Sequence, residues 1–267
     1  MTLEIAKLRE SGVSLEAIDP FAVRDDAEEL PADIYVIREG VVCDTDKRGA
    51  AMPNGGSLLE IVLDASQGFI PLWTQGTTLR WRFQEASLAR FSNPAAAKAG
   101  IETLFGEALL LWGDAAPVRF ARDDDAWDFE IAVKAQDKCS PQGCVLARAF
   151  LPDGGRHELL IFPMMFGQPR QEQVETLAHE IGHIFGLRHF FALIAETAAP
   201  AVVFGEHVRF SIMNYGADSV MSDSDRSDLK ALYRQVWSGA LKSINGTPIR
   251  LVKPYHASGF TAAQLVA

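Results

Sequence analysis

The chain has 267 residues, of which 48% are hydrophobic and 22% are charged, and this composition is typical of a folded globular protein. Its formal net charge of -10 repels phosphate backbones, and the sequence has no evident basic patch, so a nucleic-acid partner is not expected. No apolar run approaches the length of about 18 residues that spans a bilayer. These properties predict a soluble protein without a membrane span.

The secondary-structure signals divide the chain into three regions. Residues 1–70 carry short strand-like stretches and a Gly-rich turn, and they are predicted to form an N-terminal appendage. Residues 71–237 are predicted to be the main domain, and residues 238–267 a peripheral C-terminal tail. The N-terminal residues lack the basic region and unbroken apolar stretch of a secretory signal peptide, so none is expected in this chain.

The main domain opens with strand and helix signals. Residues 77–83 alternate apolar and basic side chains with the period of a half-buried strand. Asn93 and Pro94 are a cap and a first helical residue, and they predict a long helix that ends near Asp114. Four stretches after this helix have strand character: residues 117–125, 127–135, 144–155 and 157–166. The last two are predicted to be joined by an Asp-Gly-Gly turn.

Two amphipathic helices are predicted in the second half of the main domain. Residues 170–187 place their apolar side chains at helical spacing, with polar residues on the other face. These apolar residues are Val174, Leu177, Ala178, Ile181, Ile184 and Phe185. Residues 222–237 begin with helix-start residues and continue with apolar positions at the same spacing.

The chain has an odd number of cysteines, Cys43, Cys139 and Cys144, so at least one thiol is left without an intramolecular partner. Cys139 and Cys144 bracket the sequence SPQG, whose Pro and Gly favour a turn. A local disulfide between them is one alternative in an oxidising compartment, and two free thiols are the other.

The helix predicted over residues 170–187 carries a metal-binding pattern. His179 and His183 are four residues apart and project from one face, so that both imidazoles reach one ion. Gly186 tolerates the positive φ that ends a helix, and the resulting turn brings His189 back toward the metal. Glu180 lies beside the ion without ligating it and is the candidate general base for peptide-bond hydrolysis. The pattern His-Glu-x-x-His-x-x-Gly-x-x-His predicts one catalytic Zn²⁺ site.

Other interpretations of these histidines remain open. Isolated histidines on an amphipathic helix are usually packed or solvated residues. A closed structural zinc site needs a fourth side-chain ligand, and neither His157, His207 nor any cysteine lies at an evident ligand spacing. Another class of zinc peptidase uses a downstream glutamate as third ligand, for which Glu196 is the nearest candidate, although His189 makes it redundant.

At these residues the chain resembles the metzincin zinc peptidases, whose signature continues with a methionine-containing turn beneath the metal. The sequence SIMNYG, residues 211–216, is similar to that turn and makes Met213 the methionine. Tyr215 matches a tyrosine of the astacin-like and serralysin-like branches, where the resemblance implies metal binding or oxyanion stabilisation. Phe190, directly after His189, matches none of the residues that mark the named branches, so the branch stays unassigned.

The resemblance implies an α+β fold with a twisted mixed sheet, a backing helix and an active-site helix. The active-site helix would floor a cleft between an upper sheet subdomain and a smaller, more irregular lower subdomain. Residues 145–152 resemble the rim strand that pairs with an extended substrate. Structural Ca²⁺ is not indicated, because the sequence lacks the acidic Gly-Asp repeats of serralysin calcium domains.

Several metzincins are kept inactive by an N-terminal segment that places a cysteine or an aspartate on the zinc. Cys43 and Asp44 offer both groups upstream of the main domain, so residues 1–70 are a candidate pro-segment and the chain a candidate zymogen. The alternative is that Cys43 is a partly buried free cysteine and that Asp44 opens a turn.

The sequence as a whole predicts a zinc-dependent endopeptidase that acts on a protein or peptide substrate. One alternative is a zinc-binding module without proteolytic activity, such as a toxin-like protein, and another is a hydrolase of a non-peptide amide. The family resemblance favours a secreted or extracellular protein. Neither the substrate preference nor the oligomeric state is predicted.

Overall fold

The computed structural model describes residues 19–22, 35–38, 40–43, 61–64, 68–141, 143–189, 201–204, 211–213 and 219–258. Within these ranges the helices are α1 (Glu85–Leu88), α2 (Pro94–Trp112), α3 (Arg170–Ile184) and α4 (Asp223–Trp237), and 3₁₀ turns lie at Gly113–Ala115, Pro163–Gly167 and Tyr255–Ala257. None of the helices in the described ranges is long and apolar enough to cross a membrane.

The strands of the main domain form a mixed sheet. This sheet shares one hydrophobic core with α2 and α3. Its strands are β5 (Thr78–Phe83), β6 (Arg119–Arg122), β7 (Phe129–Val133), β10 (Ala147–Arg148) and β11 (His157–Ile161). Their order is β10-β11-β7-β5-β6, in which β10 is antiparallel to β11 and the other pairs are parallel. Along β5 buried and half-buried residues alternate, as predicted. The α+β class is therefore confirmed.

The long helix α2 forms where its cap and apolar face predict it. The Asn93 side chain accepts a hydrogen bond from the Ala96 N–H at 3.1 Å, and Pro94 is the first helical residue. The helix buries an apolar face against the core, and at its end Trp112 Nε1 donates to the Ala178 carbonyl of α3 at 2.9 Å. This bond joins the two helices at the level of the predicted metal ligands.

Helix α3 is buried along most of its length and ends in the predicted turn. Gly186 follows it with φ +94°, a conformation that L side chains rarely adopt. An added Cβ at Gly186 would also lie 3.1 Å from Leu72 Cδ2 and 3.4 Å from the Pro71 carbonyl oxygen. Both the backbone conformation and the close packing therefore require glycine here.

The structure differs from the sequence-based prediction over residues 144–155. Instead of one continuous strand, β9 (Gly143–Val145) and β10 are separate and belong to different sheets. The physical reason is that the two segments take different hydrogen-bonding partners: residues 143–145 pair with residues 40–42 and 138–140, whereas Ala147 and Arg148 pair with β11.

Three N-terminal strands join the fold: β1 (Tyr35–Arg38), β2 (Gly40–Cys43) and β3 (Ile61–Asp64). The strand β1 pairs with β2, and β2 and β3 pair with strands of the main domain. The strand β2 is parallel to β9, which in turn is antiparallel to β8 (Lys138–Ser140). The strand β3 lies between β12 (Leu187–Arg188) and β13 (Ala201–Phe204). A disulfide joins Cys139 to Cys144 across β8 and β9, which settles the alternative left open by the sequence.

The C-terminal segment also adds a strand to the fold. The strand β15 (Thr247–Val252) is parallel to β4 (Ile70–Trp73) and antiparallel to β14 (Ser243–Ile244). Nearby, the imidazole Nδ1 of His256 lies 2.8 Å from Oδ2 of the buried Asp128, before β7. The division into residues 1–70, 71–237 and 238–267 stays a prediction.

Helix α4 holds the C-terminal end of α3 through Tyr233. The Tyr233 hydroxyl donates to the Phe185 carbonyl oxygen at 2.9 Å and accepts from the Trp73 N–H at 3.4 Å. Complete burial raises the pKa of this phenol, so it stays protonated and keeps its donor. The phenol therefore joins α4, α3 and β4 at one point.

We expect Tyr233→Phe to lower the free energy of unfolding by about 1–3 kcal/mol, because the buried Phe185 carbonyl loses this donor. Urea denaturation measures the change. The matched control is Tyr255→Phe in the C-terminal 3₁₀ turn, where the ring stays available to Arg156 and a change within about 0.5 kcal/mol is expected. Equal losses in the two variants would contradict the assigned role of the Tyr233 hydroxyl.

Candidate metal centre

The three histidines of the sequence pattern converge in the core. The ring centroids of His179, His183 and His189 lie 4.9 to 5.1 Å from one another, and each residue is at most 2% exposed. Together with Cys43 they offer four ligand atoms that all lie within 4.8 Å of one another. The fold thus brings three imidazoles and a thiol to one buried point.

Backbone carbonyl groups fix the orientation of two of these rings. His179 Nδ1 lies 2.7 Å from the Ile212 carbonyl oxygen, and His183 Nδ1 lies 2.8 Å from that of Leu187. Because a carbonyl oxygen only accepts, each ring carries its proton on Nδ1 and directs the lone pair of Nε2 toward the shared point. Hydrogen bonds of this kind set the tautomer of metal-binding histidines.

The separations between donor atoms fit a tetrahedral zinc ion. Nitrogens at about 2.05 Å from such an ion are about 3.3 Å apart, and a sulfur at about 2.3 Å from the ion is about 3.6 Å from a ligating nitrogen. In the structure His179 Nε2 and His189 Nε2 are 3.1 Å apart. Cys43 Sγ and His183 Nε2 are 3.6 Å apart. The chemistry and the spacing of this donor set fit a metal ion held by three nitrogens and a sulfur.

The position of Cys43 bears on two interpretations of the sequence. No ligand spacing indicated a cysteine for a closed structural site, whereas the latency hypothesis placed Cys43 on the zinc, and in the structure the fully buried Cys43 joins the cluster. It is 140 residues from His183 along the chain, and the pairing of β2 with β9 helps to bring it here. His157 lies elsewhere, with its ring stacked on Phe150 at 4.3 Å. His207 and Glu196 lie outside the described residues.

Glu180 is held at the edge of the cluster. Its Oε2 accepts a hydrogen bond from the Ala149 N–H at 2.7 Å, and its Oε1 lies 3.4 Å from Cys43 Sγ. The residue is 1% exposed. The carboxylate therefore lies between the segment that follows β10 and the thiol.

Met213 packs directly against helix α3. An added Cβ at Gly182 would lie 2.5 Å from Met213 Sδ and 3.2 Å from Trp112 Cζ2, so the methionine fills the space that a side chain would take. Gly182 was missed from the sequence because it occupies a variable position of the His-Glu-x-x-His pattern. Tyr215 and Asp44, the remaining predicted site residues, lie outside the described residues.

Comparisons with known proteins give weak similarities. No protein-family model and no curated protein sequence matches the chain. Two structures of myroilysin are similar with TM-scores of 0.42 at 12% and 13% identity, covering 72% and 64% of this chain and 93% and 98% of theirs. High choriolytic enzyme 1, a hatching enzyme zinc-protease from Oryzias latipes (medaka fish), has a TM-score of 0.36 at 16% identity, covering 69% of this chain and 98% of its own.

We expect Gly182→Ala to lower the free energy of unfolding by about 1–3 kcal/mol, because Met213 and Trp112 must move to admit the new methyl group. Zinc affinity should fall as well, since α3 carries two of the histidines. Chemical denaturation and competition with a chelator measure the two effects.

The matched control is Gly106→Ala on α2, where an added Cβ meets nothing within 4 Å. This half-buried helical site has room for a methyl group and should gain stability by up to about 1 kcal/mol. If Gly182→Ala behaves like the control, the packing of Met213 against α3 does not constrain the centre.

Proposed function

We propose that the protein is a zinc-dependent endopeptidase in which His179, His183 and His189 hold the ion and Glu180 is the general base. The observation that carries the proposal is the convergence of three buried imidazoles with Glu180 beside them. Metal ligands alone serve a structural site equally well. A carboxylate that lies beside the ion without being needed as a ligand favours catalysis.

A bound zinc ion supplies Lewis acidity, which polarises a carbonyl group and makes water a nucleophile near neutral pH. Glu180 takes a proton from the attacking water while the water oxygen bonds to the carbonyl carbon. The same carboxylate then hands this proton to the departing nitrogen as the carbon–nitrogen bond breaks. The Ala149 N–H holds Oε2 of Glu180, and this contact orients the base for both transfers.

A structural zinc site is the second candidate, and one observation favours it. Three imidazoles and one thiol are a complete tetrahedral ligand set, and all four residues are buried. The two candidates differ in whether Cys43 leaves the ion. A structural site keeps the thiol, whereas an enzyme must exchange it for water.

We expect Glu180→Gln, made in a chain that also carries Cys43→Ala, to keep the zinc and to lower cleavage of an unfolded protein substrate by about 10²–10⁴-fold. A chelator should abolish the activity of the chain with Cys43→Ala alone, and added zinc should restore it. Glu158→Gln, at an exposed position of β11, is the matched control and should leave the rate unchanged. If the chain with Cys43→Ala alone contains zinc but cleaves no substrate, the endopeptidase proposal is overturned in favour of a structural or binding site.

We further propose that Cys43 holds the enzyme latent. Two observations support this: the distances from Cys43 Sγ to His183 and Glu180, and the parallel pairing of β2 with β9. A thiolate on the zinc occupies the position that the catalytic water requires. The pairing covers Gly143 to Val145, where the predicted rim for substrate begins, so β2 also occupies part of that edge.

We expect Cys43→Ala to raise the activity of the full chain by about tenfold or more, provided that the thiol-bound form is over about 90% of the population. The initial rate on a quenched peptide measures the gain. Deletion of residues 1–68 is a poorer test because it also removes β3, which contains the fully buried Leu63 and pairs with β12 beside His189. Unchanged activity in Cys43→Ala would overturn latency and leave the endopeptidase proposal standing.

A further inference from the structure

We propose that Asp225 is a positioning residue for the metal centre, acting through the turn that carries Met213. The inference rests on the proposed zinc site, since it assigns to Asp225 the placement of the hydrogen bond that orients His179.

The Asp225 carboxylate accepts four hydrogen bonds, although the residue is only 7% exposed. Its Oδ2 accepts from the Ser222 N–H at 2.8 Å, the Ser222 hydroxyl at 2.7 Å and the Ile212 N–H at 3.2 Å. Its Oδ1 accepts from the Ser211 hydroxyl at 2.6 Å. The bonds to Ser222 complete the capping box that starts α4, but those to Ser211 and Ile212 lie outside any helix cap.

Ile212 connects the Asp225 carboxylate to the proposed metal ligand His179. Its carbonyl oxygen lies 2.7 Å from His179 Nδ1 and also accepts from the Ser219 hydroxyl at 3.0 Å. The Ser211 hydroxyl, held by Asp225, accepts from the Met213 N–H at 3.1 Å. Asp225 thus fixes the backbone on both sides of the carbonyl group that sets the tautomer and orientation of His179.

The donor pattern distinguishes the carboxylate from smaller or neutral side chains. Both backbone N–H groups bond to Oδ2, whereas Oδ1 meets a hydroxyl, which donates or accepts equally well. An asparagine with its oxygen in the Oδ2 place and its NH₂ toward Ser211 therefore keeps most of the network. An alanine has no side-chain oxygen and accepts none of the four hydrogen bonds. Asp225→Asn is therefore a conservative variant, and it should keep most of the properties that Asp225→Ala loses.

The test uses zinc affinity, measured by chelator competition, and the visible absorption spectrum of the Co²⁺-substituted protein, both in the full chain. We expect Asp225→Ala to weaken zinc binding by about 10–100-fold and to change the Co²⁺ spectrum. Asp225→Asn should recover most of both signals. In a chain that also carries Cys43→Ala, the loss of peptidase activity should fall on kcat more than on KM.

Two serine variants separate positioning from capping. Ser222→Ala removes the cap of α4 and should lower the midpoint of thermal unfolding while it leaves zinc affinity and the Co²⁺ spectrum unchanged. Ser211→Ala removes one of the two bonds between Asp225 and the turn and should move the metal signals in the same direction as Asp225→Ala, by a smaller amount, while the cap is kept. Ser211→Ala also keeps the inference testable should Asp225→Ala not fold.

The inference is overturned if Asp225→Ala or Ser211→Ala lowers thermal stability with zinc affinity and the Co²⁺ spectrum unchanged, because Asp225 is then a helix cap only. Its failure is separable from failure of the proposed function. A chain that binds zinc but cleaves no peptide refutes the endopeptidase, while the affinity and spectrum still decide the role of Asp225.

Discussion

The C-terminal end of α3 lies in the core, where its last carbonyl groups have no water to bond. Aromatic side chains from other elements supply the donors. Trp73 Nε1 of β4 donates to the Ile184 carbonyl at 2.7 Å, and Tyr233 of α4 donates to that of Phe185. About two turns earlier, Trp112 of α2 donates to the Ala178 carbonyl. The helix that carries His179 and His183 is thereby fixed from three directions before any metal binds.

This fixed helix makes the centre a buried polar site in an apolar core. Burial of polar groups is costly unless each has a partner, and here carbonyl oxygens of Ile212 and Leu187 serve the two helical histidines. A positive ion at the same point satisfies the remaining nitrogens and compensates the charge of Glu180 nearby. Binding of the metal and ordering of the surrounding turns are therefore expected to stabilise each other.

The local parts of the centre were predictable from the sequence, and the long-range parts were not. The Asn93 cap, helix α3 and the positive φ of Gly186 each depend on a few neighbouring residues, and the structure has all of them. Strand pairing brings in Cys43, and no spacing rule reaches that far along the chain. The break between β9 and β10 follows from a change of pairing partner that the pattern of residues 144–155 does not display.

The disulfide between Cys139 and Cys144 has a consequence for the third cysteine. In the register of β8 and β9 these two residues face each other, and their bond uses up the other cysteines of the chain. Formation of this disulfide takes Cys139 and Cys144 out of exchange with the fully buried Cys43. Conditions that close the hairpin therefore keep the Cys43 sulfur out of an intramolecular disulfide and beside the histidines.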